Sequence, residues 1–135
     1  MKLKQMLATL AATLFIMLTS LSSTNAEKPV QHLDLPDLTS LEEAKNIFLE
    51  TTKALKEKQT LDEPELNEVH IITYSLEKAV AYFKDNLENE KQLLANQMAV
   101  VVEEVHLASE NNLDLETKSH LQLYFRLADS LTPQL

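Results

Sequence analysis

This chain has no cysteine and no glycine. Without thiols there can be no disulfide, no covalent c-type haem attachment and no thiolate metal site. Without glycine there is no phosphate-cradling loop and no nucleophile elbow, since both need it where the backbone bends tightly. Most enzyme signatures are therefore missing, and the Ser and Thr residues show no recognisable catalytic partner order. Positive charge is also scarce, with 12 Lys and Arg against 21 Asp and Glu and a formal net charge of −9. That balance argues against nucleic acid and against anionic membrane surfaces as partners. A highly acidic surface keeps a small protein soluble.

Long apolar runs are scarce too, and the one present is at the N-terminus. Lys2 and Lys4 precede an uncharged stretch over residues 7–18, rich in Leu, Ala, Ile, Phe and Met. Small and polar residues follow, ending Thr24-Asn25-Ala26. This is the three-part pattern of a secretory signal peptide, with cleavage expected after Ala26. Thr24 is a weaker choice than Ala at its position. A spanning helix needs about 20 apolar residues, and Ser20, Ser22, Ser23 and Asn25 end this run early. No stable membrane anchor is expected once the leader is gone. The cationic start and short apolar run fit bacterial export, to the periplasm or beyond it. About 109 residues then remain, enough for one domain.

Residues 27–39 carry Pro29 and Pro36 and no periodicity, so they read as an extended lead-in. A helical domain is expected over residues 40–132. Ser40-Leu41-Glu42-Glu43 is a capping box, which satisfies free amides at a helix start. Leu41, Ala44, Phe48, Thr51 or Thr52, and Leu55 follow at helical spacing, giving a first helix over 40–58. Asp62-Glu63-Pro64-Glu65 starts a second over 63–87. Its seam of Leu66, Val69, Thr73, Leu76, Val80, Phe83 and Leu87 alternates spacings of three and four, as a helix facing a partner helix does. Leu94, Met98, Val101, Val102, Val105 and Ala108 make a third stripe over 90–109. Asn111-Asn112 with Asp114 breaks it, and a fourth helix over 114–131 turns Leu121, Tyr124, Leu127, Ala128 and Leu131 inward.

The expected fold is an all-α, up-and-down four-helix bundle. The alternative keeps one helix over 63–109, about 70 Å long at 1.5 Å per residue. The flanking helices would then fold back on its halves as a dimer. No Pro or Gly marks a turn near residue 88, although Asn89 could cap a new helix there.

Four histidines stand out. His32 lies in the lead-in and reads as solvated. His70, His106 and His120 fall on the second, third and fourth helices. Residues 70 and 106 are symmetric about 88, and residues 106 and 120 about 113, so a bundle sets all three at one height. At 100° per residue, His70 and His106 flank their seams with the same rotational sign and face each other at the core edge. His120 points more inward. His70, His106 and His120 could hold a zinc or copper ion. Two of them could hold a b-type haem. Glu103 and Tyr74 are candidate neighbours that could orient an imidazole. The plainer reading is that these histidines only make hydrogen bonds, with no cofactor.

Leu66-Asn67-Glu68-Val69-His70-Ile71-Ile72-Thr73-Tyr74-Ser75-Leu76-Glu77-Lys78-Ala79 and Glu103-Glu104-Val105-His106-Leu107-Ala108-Ser109-Glu110 carry a family resemblance. So does the helix start Thr39-Ser40-Leu41-Glu42-Glu43-Ala44. Over about residues 32–131 the chain resembles a family of small exported proteobacterial proteins catalogued as a domain of unknown function. The resemblance implies export and helices, and no activity. Similarity to the small periplasmic b-type cytochromes is poor. Those bundles use a Met from the first helix and a His from the last, whereas the one Met after the leader is Met98 on the third. The functional expectation is a non-enzymatic exported protein that binds an unknown protein partner or itself. The alternative is a haem- or metal-binding bundle built on the helical histidines.

Overall fold

A computed structural model describes residues 32–135. The signal peptide expected at 1–26 and the first part of the lead-in lie outside the described residues. Four helices follow in order: α1 (Leu41–Lys56), α2 (Glu63–Asn86), α3 (Asn89–Glu110) and α4 (Asp114–Leu131). A short 3-10 turn, Thr132–Gln134, ends the chain. Among the described residues no helix is long and apolar enough to cross a membrane.

Local chemistry sets the helix starts. The Ser40 hydroxyl accepts from the Glu43 amide at 3.1 Å, and the Glu43 carboxylate reaches back to the Thr39 amide at 3.5 Å. This satisfies amides that the first helical turn leaves free. At α2 the Asp62 carboxylate accepts from the Glu65 amide at 3.2 Å, and Pro64 sits in the first turn, where a missing N–H costs little.

The two later turns must reverse the chain without glycine. Asparagine takes the left-handed backbone at both, with φ of 56° at Asn89 and at Asn112. Its short polar side chain tolerates that region better than other Cβ-bearing residues do. At the end of α3 the Leu113 amide donates to the Ala108 carbonyl at 2.9 Å and the Asn112 amide to the Ser109 carbonyl at 3.2 Å. This is a Schellman closure with asparagine in the usual glycine place. Asn112→Gly is expected to leave stability within about 0.5 kcal/mol, and Asn112→Val to cost about 1–2 kcal/mol. Urea denaturation of the two variants checks this.

At the α2–α3 turn the helix stops at Asn86 and restarts at Asn89. The Gln92 side chain donates across the turn to the Lys84 carbonyl at 3.0 Å, capping α2 from α3. The long continuous helix over 63–109 is therefore overturned, and the up-and-down bundle holds. Each helix packs on its neighbour in sequence, and α1 meets α4 to close the bundle. Thr52 and Tyr124 share a buried hydroxyl–hydroxyl hydrogen bond of 2.5 Å across that closing contact. Burial pushes the Tyr124 phenol well above its ordinary range, so it stays neutral there.

The core follows the stripes. Ala44, Phe48 and Leu55 of α1 meet Val69, Leu76, Val80 and Phe83 of α2. Met98, Val102 and Val105 of α3 and Leu121, Tyr124, Ala128 and Leu131 of α4 complete it. Phe48 and Phe83 meet edge to face with ring centroids 5.4 Å apart. Leu41 departs from expectation: it is exposed at the first residue of α1, while Ala44 in the same turn is buried.

Residues 32–40 have no regular structure and lie against the bundle. Leu33, Leu35 and Leu38 are partly buried, and Lys78 on α2 donates to Asp37 at 2.8 Å. That ion pair holds the Asp37 carboxyl below its ordinary value and the Lys78 ammonium above its own.

Candidate functional site

The mirror relation about the α2–α3 turn brings His70 and His106 together. Their rings meet edge to face with centroids 4.7 Å apart, and residue exposure is 3% and 8%. Glu110 stands one helical turn after His106, with Oε2 3.8 Å from His106 Nε2. One ligand atom from each of His70, His106 and Glu110 lies within 4.8 Å of the other two.

Two further groups approach this triad. The Tyr74 hydroxyl, one turn after His70, lies 3.2 Å from His70 Nε2 and 3.1 Å from His32 Nδ1. His32 Nε2 then lies 3.9 Å from Glu110 Oε1. His70, Tyr74, His32, Glu110 and His106 thus form a closed ring of neighbours, with His106 stacked back against His70.

The far side of His106 is built as well. Its Nδ1 is 2.9 Å from the Thr73 hydroxyl and 2.9 Å from Glu77 Oε1. Thr73 also donates to the His70 carbonyl at 2.6 Å, which fixes its position. Glu77 Oε1 is buried and makes no aligned hydrogen bond despite its closeness to the imidazole. A carboxylate oxygen shut off from water without a full partner is costly. Burial accordingly raises the Glu77 carboxyl, while His106 pulls it down and Glu103 pushes it up further. Burial also lowers the His70 imidazole, with His106 adding to the effect and Glu110 opposing it. Burial thus favours the neutral form of His70. Burial raises the Tyr74 phenol, opposed by a backbone hydrogen bond from Leu33.

The sequence profile of a family of unknown function, DUF6746, matches residues 1–133. The chain belongs to that family. Membership bears out the resemblance to a family of unknown function, read from the histidine-bearing segments of α2 and α3 and from the start of α1. It brings a shared sequence pattern and no activity. No curated protein and no solved structure matches the chain.

Of the three helical histidines read as ligands, the structure brings together His70 and His106. His120 sits elsewhere, with Nε2 3.9 Å from Glu104 Oε2. The inward line of α4 runs Thr117, Leu121, Tyr124 and Ala128. His120 is one residue, about 100°, off Leu121, which turns it to the flank. The expected depths are thus reversed: His70 and His106 are buried and His120 is half-buried, its side chain 31% exposed. The lead-in, unassigned to any face by its sequence, reaches Tyr74 and Glu110 at this edge through His32. Tyr74 is beside His70 as expected. Glu103 is exposed and acts on Glu77 only through its charge. Glu110 and Glu77 were not singled out by sequence. The signals that could have found them are the four-residue step from His106 and the seven-residue step from His70.

Proposed function

We propose that this chain is an exported, non-enzymatic protein whose bundle binds one zinc or copper(II) ion between α2 and α3. The carrying observation is the convergence of buried His70 and His106 and half-buried Glu110 to within 4.8 Å. Two imidazoles and a carboxylate form a donor set that suits borderline ions. Donors on a tetrahedral ion with bonds near 2.0 Å stand about 3.3 Å apart. The 3.8 Å between His106 Nε2 and Glu110 Oε2 needs only a small side-chain adjustment to reach that.

Glu77 supports the same reading. A ligating histidine commonly turns its other ring nitrogen to a carboxylate, which fixes its orientation and raises its basicity. Glu77 lies 2.9 Å from Nδ1, beside the Thr73 hydroxyl that makes the aligned hydrogen bond there. A haem fits this arrangement less well, because the two rings touch edge to face and leave no slot for a porphyrin between them. Export is supported by the tripartite leader over residues 1–26, in the oxidising and metal-accessible space where a cysteine-free site is safe from disulfide exchange.

The direct test is to express the chain with its own leader, purify it from the periplasm without a histidine tag and measure its metal content. About one zinc or copper per chain is expected, either as isolated or after chelation and reloading. Protein that leaves the periplasm metal-free and takes up neither ion afterwards would falsify the reading.

A further inference from the structure

We infer that His32, on the segment ahead of α1, supplies the fourth protein ligand and closes the site as a clasp; this rests on the metal reading above. The three helical donors come from one hairpin, and three protein ligands leave a tetrahedral ion one position short. His32 is the remaining imidazole at that edge. Its Nε2 lies 3.9 Å from Glu110 Oε1, while the other Glu110 oxygen faces His106. Its Nδ1 lies 3.1 Å from the Tyr74 hydroxyl, which also meets His70. Both ring nitrogens of His32 therefore address groups that already bracket the triad.

The segment is held for this task. Asp37 pairs with Lys78 on α2 at 2.8 Å, five residues beyond His32. Leu33 and Leu35 are partly buried beside it. The His32 side chain itself is 69% exposed. An exposed imidazole beside two buried imidazoles and the half-buried Glu110 is placed to meet an ion arriving from solvent. His70, His106 and Glu110 hold it from below, and His32 closes above. With four protein donors the site would be closed, as structural centres are, unlike a catalytic centre that keeps a coordination position open.

The test compares zinc affinity in wild type, His32→Ala and His106→Asn by competition with a chelating dye, and records the visible spectrum with cobalt(II). His32→Ala is expected to bind zinc about 10–100-fold more weakly, at least the loss that outer partners of a metal site cause. Its cobalt bands should weaken as water replaces the fourth nitrogen. The metal-free melt of His32→Ala should match wild type, because the side chain is mostly exposed. Wild-type zinc binding with His32→Ala within twofold and an unchanged cobalt spectrum overturns the clasp and leaves the metal site standing. A wild-type protein that binds neither zinc nor cobalt overturns both.

Discussion

Saturating zinc is expected to raise the thermal midpoint of the wild-type protein by about 10–20 °C and to leave His106→Asn where it was. An ion at a hundred times its dissociation constant stabilises the folded state by about 2.7 kcal/mol. For a domain of roughly this size each kcal/mol moves the midpoint about 4–8 °C. Asparagine is the informative replacement. Its amide can still donate toward Glu77 near the place of Nδ1, 2.9 Å away in the wild type, and it offers nothing at the place of Nε2. The half-buried Glu77 carboxylate keeps a neighbour while the ion loses a ligand. Calorimetric scans with zinc and with excess chelator check this. Equal zinc-induced shifts in both proteins would remove His106 from the site.

The second large effect lies in the core. Phe83→Ala is expected to cost about 3–5 kcal/mol, against a total stability of about 5–15 kcal/mol for a typical domain. Phe83 is fully buried and meets Phe48 edge to face. The cavity would open where α1 seats on α2, and two rigid helices cannot collapse into it freely. Leu115→Ala is the control, since Leu115 is 73% exposed and its truncation should stay within about 0.5 kcal/mol. Urea midpoints measure both. A Phe83→Ala midpoint equal to that of Leu115→Ala would contradict the packing described.

The helices were legible because their ends carry chemistry. Ser40 and Asp62 announce α1 and α2, and the expected bounds differ from the observed ones by two residues or fewer. The α2–α3 turn was harder, because it rests on a left-handed asparagine and a Gln92 bond across the turn. Neither leaves a pattern as plain as Pro or Gly. Half of the site was legible for a geometric reason: two helices of a hairpin are related by reflection about their turn, so His70 and His106 had to share a height. Height is not direction, and one residue of rotation took His120 to the flank. Glu77 and Glu110 were hidden among many acidic residues. His32 was hidden because an extended segment has no periodicity from which a facing can be read.

Asparagine at position 89 has a consequence for how the molecule assembles. The α2–α3 hairpin joins its two longest helices through a turn of a few residues. Contacts nearest that turn close the smallest loops and form soonest, because loop closure costs least there. Zippering outward from Phe83 and Ala95 toward Val69 and Val105 is the expected order, and His70 would meet His106 near its far end. On that order the triad would be completed late within the hairpin, with all three residues on α2 and α3. An ion present at that moment would act as a latch on the hairpin's open end, setting the order in which α1 and α4 find their places.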